Sequence, residues 1–161
     1  MFPDFLPAAV QDLTDAESID FVQTIQRVTV KVPLESGELG VATSYIQQGT
    51  PTDQLPILLI HGFDSSLMEY RRLLPLLAEH REVWAVDLLT FGFTERPENF
   101  TFSGATIKGH LHQFWQDVMG GRSLILIGAS MGGAVAQDFA LTYPDAVEQL
   151  VLLDSGGFVG S

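Results

Sequence analysis

Four short runs constrain the fold more than anything else in this chain. Ile57-Leu58-Leu59-Ile60, Val83-Trp84-Ala85-Val86, Leu124-Ile125-Leu126-Ile127 and Leu150-Val151-Leu152-Leu153 are apolar at every position. Successive side chains of a strand point to opposite sides of a sheet. A strand apolar on both sides therefore needs cover on both sides, as in the centre of a parallel sheet flanked by helices. Helix-like patterns separate the runs: Met68–Glu79, Ile107–Met119 (Leu111, Phe114, Trp115 and Val118 on one face) and Met131 to about Tyr143, stopped before Pro144. Ahead of them, Arg27–Val32 alternates with period two, Glu35–Glu38 reads as a turn and Leu39–Gln47 as a second strand, which together make a hairpin. The expected fold class is α/β, a mostly parallel sheet with an N-terminal antiparallel hairpin and helices on both faces. Residues 1–26 are expected to form an N-terminal arm or short helix, and 27–161 the core.

Composition removes several functions. At 161 residues one domain is expected, and 46% hydrophobic residues are enough for a core. A formal net charge of −12 with no basic stripe disfavours nucleic acid and anionic membranes as partners. The absence of cysteine rules out disulfides, Cys-ligated zinc and a thiol nucleophile. The N-terminus lacks a basic, then apolar, signal-like segment, and no run approaches the roughly 20 apolar residues of a membrane span. A cytoplasmic protein acting on a small molecule, without cofactor or metal, is the expectation. His80, His110 and His112 read as surface or interface residues. The spacing of two between His110 and His112 points them to different sides of a helix, against a metal pair.

Chemistry concentrates where the third apolar run ends. Gly128-Ala129-Ser130-Met131-Gly132-Gly133 follows it and a helical pattern begins at once. G-x-S-x-G between a buried strand and a helix is the pattern of a nucleophile elbow, a turn tight enough to strain the serine backbone and expose its hydroxyl. The small residues at 128 and 132 allow neighbouring backbone to come close. The helix N-terminus beneath offers free N–H groups to a developing oxyanion. The plain alternative is a tight strand–helix turn that happens to contain a serine.

Together with two further motifs, His61-Gly62-Phe63 after the third strand and Asp87 followed by Phe91-Gly92-Phe93-Thr94-Glu95-Arg96-Pro97, this pattern resembles the α/β-hydrolase family, its serine-nucleophile branch. The resemblance covers roughly Val28 to the last residue. It implies that Ser130 is the nucleophile and that the backbone N–H groups of Met131 and Phe63 form the oxyanion hole. Met131, Phe63 and nearby loop aromatics would line an apolar pocket. His61, Gly62, Gly128, Gly132 and Asp87 would support the motifs, with His61 tying its turn through a ring hydrogen bond and Asp87 anchoring the loop after it. Asp154, at the end of the sixth strand, is a possible alternative acid. Thr94 stands where the family often has serine. A serine at the elbow argues against epoxide hydrolases, which carry aspartate there.

The departure is the base. In the family the triad runs nucleophile, acid, histidine along the chain, yet all four histidines here precede Ser130. The family's last strands, lid, usual acid and histidine are absent from the sequence, which therefore resembles the front part of a longer, esterase-like enzyme, an incomplete α/β-hydrolase fold. Two alternatives stand beside this one. The chain could be a non-catalytic binding or interaction module of the same fold, or His61 could replace the missing base. The wholly apolar sixth strand, with nothing after it, is expected to be an exposed edge open to self-association or to a missing C-terminal segment.

Overall fold

The computed structural model describes residues 1–34, 37–98 and 101–156. The expected turn at Glu35–Glu38 and the final segment fall partly outside these. Strands β1 (Gln26–Leu34), β2 (Gly37–Gln48), β3 (Ile57–Ile60), β4 (Val83–Val86), β5 (Leu124–Ala129) and β6 (Val147–Leu153) form one sheet. Its order is β1-β2-β4-β3-β5-β6. β1 pairs antiparallel with β2, and β2 antiparallel with β4. β4, β3, β5 and β6 run parallel. The expected class is therefore observed, with the hairpin docked against β4.

Helices cover both faces. On one side α3 (Gly104–Asp117) and α4 (Met131–Thr142) place Leu111, Phe114 and Phe139 against Leu58, Ile60 and Leu126. On the other, α1 (Ala16–Gln23) and α2 (Leu73–Ala78) pack with Leu59, Ala85 and Ile125. Leu6, Val10, Phe21, Val22 and Ile25 are buried in this second layer, so the N-terminal residues contribute directly to the core. Asp15 caps α1 by accepting the Ser18 N–H at 3.0 Å. Ser103 and Thr106 form a reciprocal capping box on α3, which starts three residues earlier than the apolar pattern indicates. No helix among the described residues is long and apolar enough to cross a membrane.

Three expectations are corrected. The helix read as Met68–Glu79 is instead a 3-10 turn, Leu67–Tyr70, followed by α2 from Leu73. The cause is Pro75, which has no N–H to give to the carbonyl of Arg71 and whose ring would press on it. At the third position of α2 that missing donor costs nothing, because the first N–H groups of a helix are unpaired anyway. His110 is not at the surface. It is fully buried under β2, where its Nε2 lies 2.8 Å from Thr43 Oγ1. Finally, β6 begins at Val147 rather than at Leu150; among the described residues it pairs only with β5 and exposes Leu150, Val151 and Leu153, as expected of an edge strand.

Candidate active site

The parallel strands end on one side of the sheet, where sites of open α/β sheets are found. Backbone strain gathers there. Among the described residues, four non-glycine residues have positive φ: Asp64 (52°), Thr90 (70°), Ser130 (50°) and Asp154 (46°). Each follows the end of one parallel strand, β3, β4, β5 and β6 in turn, by at most four residues. The left-handed region costs an ordinary residue about 1–2 kcal/mol, and such strain collects where a site demands it.

Ser130 is the most constrained of them, with φ 50° and ψ −116° between β5 and α4, and it is exposed. Its backbone is held on both sides. Its N–H donates to the Leu153 carbonyl at 3.0 Å, and its carbonyl accepts from Gly133 at 3.0 Å and from Gly156 at 2.9 Å. The glycines of the motif leave room for this bend. A β-carbon at Gly132 would overlap the carbonyl oxygens of Ile60 and His61, and one at Gly128 would overlap the Gly132 carbonyl. Only hydrogen fits where α4 crosses the end of β3.

The His61-Gly62-Phe63 turn faces Ser130. A β-carbon on Gly62 would stand 3.3 Å from Ser130 Cβ. The imidazole of His61 is buried and in use at both nitrogens. The Leu88 N–H can only donate, so Nε2, at 3.1 Å, must accept. Nδ1 therefore carries the proton and donates to the Gly62 carbonyl at 2.7 Å. Burial holds the ring's pKa below the usual histidine value, despite opposing contributions from that carbonyl and from Glu69. The ring is thus neutral, and its 3.8 Å approach to Asp87 is not an ion pair. With no cis peptide among the described residues, the N–H of Phe63 points opposite to the Gly62 carbonyl, away from the buried ring. Among the described residues neither the Phe63 nor the Met131 N–H has a hydrogen-bond partner.

Asp87 is fully buried and organises two loops. Its carboxylate accepts the N–H of Leu67 and that of Phe93, both at 2.7 Å. Burial pushes its pKa up to about 7, against those two amides and Arg96. Thr94 extends the anchor: its hydroxyl donates to the Asp87 carbonyl and accepts the Ser44 N–H, each at 2.9 Å. Asp154 is exposed. An aromatic strip, Phe63–Phe91–Phe102, runs beside the turn with ring centroids 5.8 and 6.2 Å apart. It borders a cleft of about 650 Å³ lined by Ser66, Glu69, Arg71, Phe91 and Arg96 among others.

Glu69 had no signal in the sequence. Its carboxylate accepts the Gly62 N–H at 3.0 Å, a contact created by the 3-10 turn that Pro75 separates from α2. His80 is exposed, and His112 stacks on Tyr143 with centroids 4.1 Å apart. No described histidine hydrogen-bonds Ser130.

A family model described as the alpha/beta hydrolase fold matches residues 56–159. The chain is 36% identical to the "Alpha/beta hydrolase domain-containing protein VTE7" of Arabidopsis thaliana, over 98% of this chain and 48% of that protein. It is 34% identical to a 2-hydroxy-6-oxo-6-(2'-aminophenyl)hexa-2,4-dienoic acid hydrolase of Metapseudomonas resinovorans, over 74% of this chain and 41% of that one. The solved structure of a thermophilic esterase from Thermogutta terrifontis superposes with a TM-score of 0.72 at 27% identity, covering 84% of this chain and 48% of that one. The chain thus spans less than half the length of these relatives.

Proposed function

The chain belongs to the alpha/beta hydrolase fold family, and on that premise we propose that it carries the nucleophile and oxyanion hole of a serine hydrolase that cleaves a small carboxylic ester. The observation that carries this reading is the exposed Ser130 held at φ 50° between β5 and α4. A fold gains nothing in stability from a non-glycine residue in that conformation.

In the proposed reaction Ser130 Oγ attacks the ester carbonyl carbon. The carbonyl oxygen becomes an oxyanion between the N–H groups of Phe63 and Met131. Such preorganised donors contribute on the order of 3 kcal/mol each. The serine proton passes to a base, the alcohol leaves with a proton, and water then hydrolyses the acyl-enzyme. His61 cannot be that base, because both of its nitrogens are engaged inside the protein. We assign the base to a histidine outside these 161 residues, and leave Asp154 as a candidate acid partner.

Mass spectrometry after fluorophosphonate treatment tests the nucleophile. Slow modification confined to Ser130 and lost in Ser130→Ala is expected, together with little or no turnover of a nitrophenyl ester. Modification elsewhere, or none, would overturn the assignment. A second reading, a non-catalytic interaction module, draws on the exposed apolar β6 edge, and an unreactive Ser130 would favour it.

A further inference from the structure

We propose that Glu69 is a positioning residue of the oxyanion turn, holding the Gly62 N–H so that the Gly62–Phe63 peptide keeps one orientation beside Ser130. This rests on the reading of Ser130 as nucleophile and of the Phe63 N–H as an oxyanion donor.

The Gly62 residue is gripped at both of its polar backbone groups. Its carbonyl accepts from His61 Nδ1 at 2.7 Å and its N–H donates to Glu69 Oε2 at 3.0 Å. The N–H lies in the His61–Gly62 peptide and the carbonyl in the Gly62–Phe63 peptide, which also carries the Phe63 N–H. The two grips fix the peptide planes on either side of the Gly62 φ and ψ, so that neither can rock and swing the Phe63 N–H. Gly62 is itself buried, so without Glu69 its N–H would be an unpaired buried donor.

Glu69 is a reliable anchor although its residue is exposed. The 3-10 turn that carries it is fixed on both flanks. Leu67 is fully buried and its N–H bonds Asp87 Oδ1 at 2.7 Å, while the buried Tyr70 donates its hydroxyl to the Ile60 carbonyl at 2.7 Å. Ile60 directly precedes the gripped turn. The turn and its clamp are therefore tied to the same strand end.

An acceptor is required here, whereas a negative charge is not, since a carboxylate near a developing oxyanion opposes it. Glutamine keeps an acceptor oxygen and removes the charge. The test compares wild type, Glu69→Gln and Glu69→Ala in the 161-residue chain. One readout is the rate of Ser130 modification by a fluorophosphonate. The other is hydrogen exchange of the Gly62 N–H by NMR, which needs no reactive serine. The expected result is modification slowed about tenfold in Glu69→Ala, the equivalent of one lost hydrogen bond, and wild-type or faster in Glu69→Gln. Gly62 exchange should accelerate by a similar factor in Glu69→Ala alone. Unchanged exchange and modification in Glu69→Ala would overturn the proposal, as would a Glu69→Gln variant as slow as Glu69→Ala. If wild type itself is not modified, the serine reading fails, and the exchange data still decide whether Glu69 holds the turn.

Discussion

Gly92 and the carboxylate of Asp87 are packed so closely that a β-carbon at position 92 would overlap all three carboxyl atoms. The backbone of Gly92 is also left-handed, with φ +52°. Gly92→Ala should therefore combine a conformational cost with overpacking of a buried anchor, destabilising the fold by about 2–5 kcal/mol. Gly120 has a similar φ of +78°, but a β-carbon there would meet no neighbour within 4 Å. Gly120→Ala should cost only about 1–2 kcal/mol. Urea unfolding of the two variants measures the difference, and equal losses would refute the steric account.

Ser130 holds strain that glycine would release. Ser130→Gly should stabilise the chain by about 1 kcal/mol, whereas Ser130→Ala should leave stability near that of wild type. Neither should react with a fluorophosphonate. A Ser130→Gly variant less stable than wild type in urea would show that the backbone is not strained.

The elbow depends on how close α4 comes to β3. Gly132→Ala would force the helix N-terminus off the Ile60 and His61 carbonyls, and backbone cannot yield as a side chain can. It should abolish Ser130 modification even where circular dichroism shows retained secondary structure. Gly62→Ala comes tightest against the Ser130 side chain, at 3.3 Å, with the Ala129 carbonyl and the Glu69 carboxylate at ordinary contact distances of 3.6 and 3.8 Å, and should retain part of the reactivity.

His110 makes stability depend on pH. Burial lowers its pKa to about 4 in the folded chain, against 6.5 for the free side chain. The folded state therefore binds fewer protons than the unfolded state between those values. The resulting stability is fully present above pH 6.5 and is lost as pH falls toward 4, by about 3 kcal/mol at one site. Asp87, raised to about 7 from 3.8, acts oppositely, its contribution declining as pH rises through that interval. Comparing wild type with His110→Gln cancels the Asp87 contribution. The variant should gain relative to wild type as pH drops from 7 to 4; parallel stability curves would contradict this.

The outer edge of β6, unpaired among the described residues and with Leu150, Val151 and Leu153 each 38–40% exposed, is a template for another strand. Concentration-dependent association should appear in light scattering, and Val151→Lys should shift the chain toward monomer. A wild-type monomer at high concentration would argue against pairing at this edge.

Local pattern by itself determined the class of fold and the position of the bend. Runs such as Ile57–Ile60 carry their requirement for cover on both faces in four consecutive residues. Gly128, Ser130 and Gly132 encode a strand–helix turn within five. What only the tertiary structure decided lies between residues far apart in sequence. The hairpin docks on β4, Glu69 reaches Gly62, and the carboxylate of Asp87 meets Leu67 and Phe93. His110 is the instructive intermediate. Read from the sequence as a surface or interface residue, it shares the helical spacing of Ile107, Leu111 and Phe114, and its burial rests on Thr43 standing opposite within hydrogen-bond distance. Periodicity is set by bonds along the chain. Partnership is set by packing and polar satisfaction summed over the whole sheet, and no window of sequence contains that sum.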